Sequence, residues 1–148
     1  MENHPYLKDA LLISKYDYLE SLETFREGLF VVQDISSMLV GELAHVQAGA
    51  QVIDLCAAPG GKALDVAERI LMEGQAGCSG HVEARDLTEY KVSLIEENIE
   101  RMGLCNVTAV CQDASVYDEK SAGKADIDDR RSALFRSGSA WEENRSEI

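Results

Sequence analysis

The sequence predicts an α/β fold whose parallel sheet has three strands with flanking helices and is incomplete. Between Gln51 and Gln112, short runs rich in Val, Ile and Cys alternate with longer runs at helical spacing, so the order is strand, helix, strand, helix, strand. Connections of that length argue for parallel pairing through right-handed crossovers. Residues 114–148 hold no convincing fourth strand, although a whole fold of this kind needs several more. The pattern accounts for the front half of a Rossmann-like fold.

Residues 1–50 form a lead-in: the run Lys8 to Ser14, a short helix-compatible run Tyr18 to Phe25, and a strand expected over Gly28 to Asp34, which has β-branched and aromatic character. Ile35 to His45 reads as a helix capped by Asp34 or Ser36, with Met38, Leu39, Leu43 and the following Val46 at helical spacing. Gln51 to Cys56 is a short buried strand. Lys62 to Glu73 is a helix with Leu64, Ala67, Ile70 and Leu71 on one face, and Gly74 to Gly80 a loop. His81 to Asp86 alternates as a second strand. Thr88 to Met102 is an amphipathic helix with Val92, Ile95, Ile99 and Met102 inward, Thr88 as its cap and Gly103 as its stop. Asn106 to Gln112 is the third strand, ending at Asp113.

At 148 residues the chain is one domain or a piece of one. Fourteen Lys and Arg against 27 Asp and Glu leave a net charge of -13, which opposes adhesion to a phosphate backbone and argues against a stand-alone nucleic-acid clamp. The four cysteines, Cys56, Cys78, Cys105 and Cys111, lack CxxC spacing and paired histidines, and no apolar run approaches membrane-spanning length. A reduced, cytoplasmic protein is expected, with no metal and no membrane partner.

Cys56-Ala57-Ala58-Pro59-Gly60-Gly61-Lys62 lies between a strand and a helix, where an open α/β sheet turns backbone N–H groups and a helix N-terminus toward a ligand. Gly60 and Gly61 remove the side chains that would block a close approach, and Pro59 narrows the turn. Asp86 ends the second strand, where a carboxylate can accept ribose hydroxyls, and Asp113 follows the third strand, where it can meet an adenine edge. A glycine-rich turn alone is as readily a plain βα connection. Three features in register favour a nucleoside cofactor, and the missing GxGxxG spacing disfavours a dinucleotide.

The run DLCAAPGGK resembles the cofactor signature of the RsmB/Sun-type ribosomal-RNA cytosine-C5 methyltransferases, which have the class I S-adenosylmethionine-dependent fold. The likeness covers nearly all of residues 6–127: Gly28 to Val40 is similar to the family's lead-in, and Ala84 to Lys91, Glu97 to Gly103 and Gln112-Asp113-Ala114 to its next signatures, in order. The resemblance implies S-adenosyl-L-methionine as cofactor, held by Cys56, Ala57, Ala58, Pro59, Gly60, Gly61, Lys62, Asp86 and Asp113, and ribosomal RNA as partner. It depicts residues 51–127 as the cofactor-binding half of the methyltransferase domain. Two departures are mild: the family commonly has Thr or Ser where Ala63 stands and often His where Asp65 stands.

Methylation at C5 needs a thiolate to add to the ring before that carbon becomes nucleophilic. The family supplies it from a Thr-Cys motif, with a second cysteine in a Pro-Cys-Ser motif on the fourth strand, and the chain has neither. No catalytic residue is therefore assigned, the four cysteines are read as cofactor-loop or structural, and the fragment alone is expected to be inactive. Lys124 to Ile127 is similar to the approach to the fourth strand, whereas residues 128–148 resemble nothing in the family. Under permitted codons, reading those residues one nucleotide later gives MIADLPCSGLGVLGKKTEVK, consistent with one extra nucleotide near Ile127 and an out-of-frame tail. Three strands would leave the far edge of the first strand unpaired and the product marginal or aggregation-prone. Two other functions stay open: a non-catalytic S-adenosylmethionine-binding module and a small-molecule methyltransferase of similar fold.

Overall fold

The computed structural model describes residues 2–15, 17–74, 80–130 and 133–136, with only the backbone described at 127–130 and 133–136. The lead-in opens with a two-stranded antiparallel hairpin, β1 (Glu2–Asn3) and β2 (Leu11–Leu12), followed by a 3-10 turn (Leu19–Ser21) and one turn of helix, α1 (Glu23–Arg26). The strand expected over Gly28 to Asp34 does not form. Among the described residues no strand pairs with it, and its Phe30 carbonyl serves another purpose: at 3.2 Å it accepts from the Arg101 guanidinium, which also donates to Phe25 O of α1 at 2.8 Å. That guanidinium also lies 4.1 Å over the Phe25 ring, so one residue of a later helix pins the segment through hydrogen bonds and a cation–π contact.

Helix α2 (Ile35–Ala44) begins at Asp34, whose Oδ1 accepts from the Ser37 N–H at 3.0 Å and satisfies one of the donors that a helix start leaves open. The apolar positions read in this helix divide: Val46 just beyond it is buried in the core and Met38 is half-buried, whereas Leu39 and Leu43 are exposed, and Gly41 is the helix's one buried residue.

The core follows as β3 (Gln51–Asp54), α3 (Gly61–Glu73), β4 (His81–Asp86), α4 (Glu89–Met102) and β5 (Val107–Cys111). Strands β3, β4 and β5 are parallel in the order β5-β4-β3, with Val52 beside Val82 and Val82 beside Val107. Leu64 and Ile70 of α3, Val82 of β4 and Ile95 of α4 are fully buried in one cluster with Val52, Ala84 and Val107, so both helices cover the same sheet face. Burying each aliphatic side chain of this size contributes about 1.5–3 kcal/mol, so this seam is the main stabilising term. The caps are as the sequence implies: Thr88 Oγ1 accepts from Lys91 N at 3.4 Å, and Gly103 stops α4 in the left-handed region.

The sheet extends further than three strands. β6 (Ile127–Arg130) pairs parallel with β3, Val52 beside Ile127 and Asp54 beside Asp129, and β7 (Ala133–Arg136) pairs antiparallel with β6. The far edge of β3 is therefore occupied, which corrects the expected open edge. Asp126 enters this pairing through its carboxylate, which accepts from Gln51 N at 2.9 Å. The rest of the 128–148 tail and Cys78 lie outside the described residues.

Candidate functional site

The loop from β3 to α3 is held by its neighbours before any ligand is considered. Asp54 Oδ1 accepts from Cys56 N at 3.1 Å, Ala57 N donates to Arg85 O at 2.9 Å, and Gly60 N donates to Ala57 O at 2.7 Å. The Ala58–Pro59 peptide is cis. Gly60 caps α3 at φ 112°, a conformation that a residue with a Cβ rarely adopts. Pro59 O accepts from Asn98 Nδ2 at 3.0 Å, which seats the loop on α4. The first N–H groups of α3 open toward this loop with the positive end of the helix dipole, the arrangement that receives an anionic group.

Asp86 is the hub. One carboxylate oxygen accepts from Ala58 N at 3.0 Å; the other accepts from Leu87 N at 2.8 Å and from Lys91 Nζ at 3.0 Å. Burial alone would raise this carboxyl, but the Lys91 ammonium and the N–H groups of Leu87 and Ala58 outweigh it and hold the group below the usual aspartate value. It is an ionised acceptor at neutral pH. A carboxylate has about four acceptor positions, so three donors leave room for another, and the largely exposed Lys91 can be exchanged for a hydroxyl. Lys91 was not singled out in the sequence reading. Its signal was available: a cation in the first turn of a Thr-capped helix, five residues after the acid.

Asp113 stands two residues beyond Cys111, which lies beside Asp86 in the β4–β5 register. Its Oδ1 accepts from Ser115 N at 2.8 Å and Ser115 Oγ at 2.7 Å, and these bonds hold its carboxyl below the ordinary value. Gln112 N donates to Asp86 O at 2.9 Å, which ties the start of this turn to the end of β4. The strand ends therefore present the loop, Asp86 and Asp113 side by side in the order β3, β4, β5, with neighbouring parallel strands about 4.8 Å apart.

A cleft of about 510 Å³ lies beside the loop, walled by residues 32–34 and Ser37 on one side and by residues 56–59, Gly61 and Lys62 on the other. Gln33 belongs to this wall, and a Cβ built on Gly61 would stand 3.5 Å from its Cγ. Asp86 and Asp113 do not line it. The predicted residues thus divide between a cleft at the β3 end and two acids at the β4 and β5 ends.

On the other sheet face, the buried Arg85 pairs with Glu83 and reaches Asp118 Oδ2 at 3.2 Å and the Ser121 hydroxyl. This cluster ties the connection after β5 to the sheet. Cys56 and Cys111 are free thiols, and burial followed by Glu89 and Asp86 pushes the Cys111 thiol up, which disfavours the thiolate needed for addition to a base. Cys105 is disulfide-bonded, contrary to the expectation of reduced cysteines throughout. Among the described residues no group of His, Cys, Asp and Glu gathers to hold a metal ion, and no helix is long and apolar enough to cross a membrane.

Comparison with known proteins adds three findings. The family model for the 16S rRNA methyltransferase RsmB/F matches residues 42–131, more than half of the chain. The ribosomal RNA small subunit methyltransferase B of Yersinia pseudotuberculosis is 36% identical over 109 residues, covering 74% of the chain and 24% of that protein; the Yersinia pestis protein of the same name matches equally. The chain thus spans about a quarter of these relatives. Among solved structures, NSun6 from Pyrococcus horikoshii with SFG superposes with a TM-score of 0.59 at 31% identity, covering 67% of this chain and 24% of that one. A methyltransferase homolog from Pyrococcus horikoshii gives a TM-score of 0.57 at 27% identity, over 68% and 31% of the two chains.

Proposed function

The chain belongs to the 16S rRNA methyltransferase RsmB/F family, and from that membership we propose that residues 51–127 are the S-adenosylmethionine-binding half of a cytosine-C5 methyltransferase acting on small-subunit ribosomal RNA. Residues 1–50 serve as its lead-in, and residues 128–148 are a tail read out of frame. The observation that carries the proposal is Asp86, an ionised, nearly buried carboxylate at the end of β4 that shares its donors with the glycine loop. A ribose diol fits such an acceptor, and the amino-acid end of the cofactor fits the start of α3.

In this reading Asp86 accepts the ribose hydroxyls, Asp113 meets the adenine edge, and the backbone of Cys56 to Lys62 holds the rest of the ligand. The bound cofactor supplies an electrophilic methyl group on sulfonium. The residues of this chain orient that group; the thiolate that would activate the cytosine is not assigned to any of its cysteines. The NSun6 structure from Pyrococcus horikoshii with SFG, a cofactor analogue, supports the cofactor class. The net charge of -13 supports an RNA grip supplied from outside these residues. A cytoplasmic location follows from the same substrate.

Calorimetric titration of the 148-residue chain with S-adenosylhomocysteine tests the site. Saturable one-to-one binding that Asp86→Ala abolishes, without methyl transfer to RNA, is expected. Absence of binding to the wild-type chain refutes the proposal. Resequencing the gene across codons 126–129 tests the tail: an extra base is expected, and an intact frame refutes an out-of-frame origin.

A further inference from the structure

The cleft has one wall that is only lightly attached to the core. Helix α2 carries Asp34 and Ser37 at its start, yet it turns Ile35, Leu39 and Leu43 to solvent and sinks only Gly41 fully into the interface with α3. What crosses that interface is a fork. Arg69 of α3 donates through Nε to Asp65 Oδ1 at 3.0 Å on its own helix and through Nη1 to Glu42 Oε2 at 2.8 Å on α2. Asp65 Oδ2 is buried without a hydrogen-bond partner and faces Gly41 so closely that a Cβ there would stand 1.9 Å from it.

We propose that Glu42, Arg69, Asp65 and Gly41 form a latch that sets the position of the α2 wall, making them positioning residues for the amino-acid end of the cofactor. The inference rests on the cofactor reading above. If Asp86 and Asp113 hold the nucleoside at the ends of β4 and β5, the remainder of the ligand runs toward β3 and the cleft between residues 32–37 and 56–62. The latch acts on that remainder only, because none of its residues belongs to the β4 or β5 strand ends. Burial pushes the Asp65 carboxyl up against the pull of Arg69, so the site retains an acid whose charge is costly to bury. That cost accords with a role beyond packing.

The test compares two ligands that differ only at that end. S-adenosylhomocysteine carries the amino-acid chain; 5′-methylthioadenosine keeps the nucleoside and thioether and lacks it. Both are titrated into the wild-type 148-residue chain and into E42A, G41A and G41A/D65A. Glu42 is largely exposed, so E42A retains the fold while cutting the tie between the helices. It is expected to weaken S-adenosylhomocysteine about three-fold, the range of a partly exposed ion pair, and to leave methylthioadenosine unchanged. G41A raises the helix propensity of α2 while driving a methyl group into Asp65, and is expected to weaken S-adenosylhomocysteine by roughly ten-fold, with D65A restoring much of the loss. Equal weakening of both ligands, or none of S-adenosylhomocysteine, overturns the latch while leaving the cofactor site standing. A wild-type chain that binds neither ligand overturns the cofactor site, and the latch with it.

Discussion

Asp86→Asn separates the structural role of the hub from its proposed ligand role. The carboxylate serves three donors, Ala58 N, Leu87 N and Lys91 Nζ, all within 3.0 Å, and its side chain is 6% exposed, so solvent screens the two backbone bonds little and the bond to the exposed Lys91 more. Asparagine keeps one acceptor oxygen and places an NH2 group where the second oxygen stood. At least one backbone N–H then faces another donor, and the Lys91 contact loses its charge. A bond to a charged group contributes about 1.5–3 kcal/mol, so the ligand-free chain should lose roughly 2–3 kcal/mol in a urea titration followed by far-UV circular dichroism at pH 7. The pH dependence fixes the cause. The folded-state value of Asp86 lies below the ordinary 3.8, so its contribution is present above that value and is lost as pH falls through the lowered one. The gap between wild type and D86N should be full at pH 7 and close in strong acid. A gap under about 0.5 kcal/mol at pH 7 would refute the view that Asp86 anchors the loop without ligand.

Gly28→Ala should detach the lead-in: φ is 73° and the added Cβ would stand 2.0 Å from Arg101 O. The expected loss is at least about 2 kcal/mol, with faster proteolysis between residues 22 and 33, and unchanged cleavage would refute it. Ser121→Ala tests the clamp beyond β5. The Ser121 hydroxyl, followed by Lys120 N, Gln112 and the Arg85 charge, holds Asp118 down to about 2 against the effect of burial. Its stabilising contribution is therefore complete above the ordinary value of 3.8 and lost toward about 2; S121A should move acid unfolding, monitored by circular dichroism, to higher pH. Cys111 is exposed, but Glu89 and Asp86 add to desolvation in raising its thiol, so alkylation at pH 8 should run slower than for free cysteine, as read by mass spectrometry.

The core was legible because its sequence signals are local and mutually consistent. His81 to Asp86 matches β4 residue for residue, and the Thr88 cap, the Gly103 stop and the apolar face of α4 all stand where the pattern placed them. The lead-in was not. Gly28 to Asp34 has strand chemistry, but a strand needs a neighbour with free backbone groups, and the partner that took its Phe30 carbonyl was Arg101, far along the chain. Helix α2 has a correct cap and correct bounds within a residue, yet of the apolar positions at helical spacing the following Val46 reaches the core, Met38 is half-buried, and Leu39 and Leu43 face solvent. Periodicity identifies a helix; it does not say which neighbour is present to cover it. β6 was missed for the complementary reason: residues 127–130, Ile-Asp-Asp-Arg, lack strand composition, and parallel pairing with β3 is a non-local fact. At the site, the loop and both acids were legible as a motif. Gln33 and the Glu42–Arg69 tie were not, because each acts through a partner distant in sequence on another element, whereas Lys91 carried a local signal five residues from its acid.

The ligand-free site is not a set of idle groups awaiting a cofactor. Asp86 already accepts from Lys91 and two backbone donors, Asp113 Oδ1 from Ser115, and the loop is tied by Asp54, Arg85 and Asn98. A nucleoside would therefore exchange bonds more than add them: its ribose takes acceptor positions partly held by Lys91, and its adenine competes with the Asp113 turn. Exchange of this kind gives modest affinity and strong orientation, since the protein groups are fixed before the ligand arrives and little ordering entropy remains to oppose binding. It also couples binding to stability. A ligand that engages the folded hub and not the unfolded chain raises stability by RT ln(1 + [L]/Kd), so S-adenosylhomocysteine at a hundred times its Kd should add about 2.7 kcal/mol to the wild-type chain. D86N should lose that increment as well as its own anchoring bonds. If the increment survived in D86N undiminished, the ligand would be held elsewhere, and the acid at the end of β4 would be a structural tie alone.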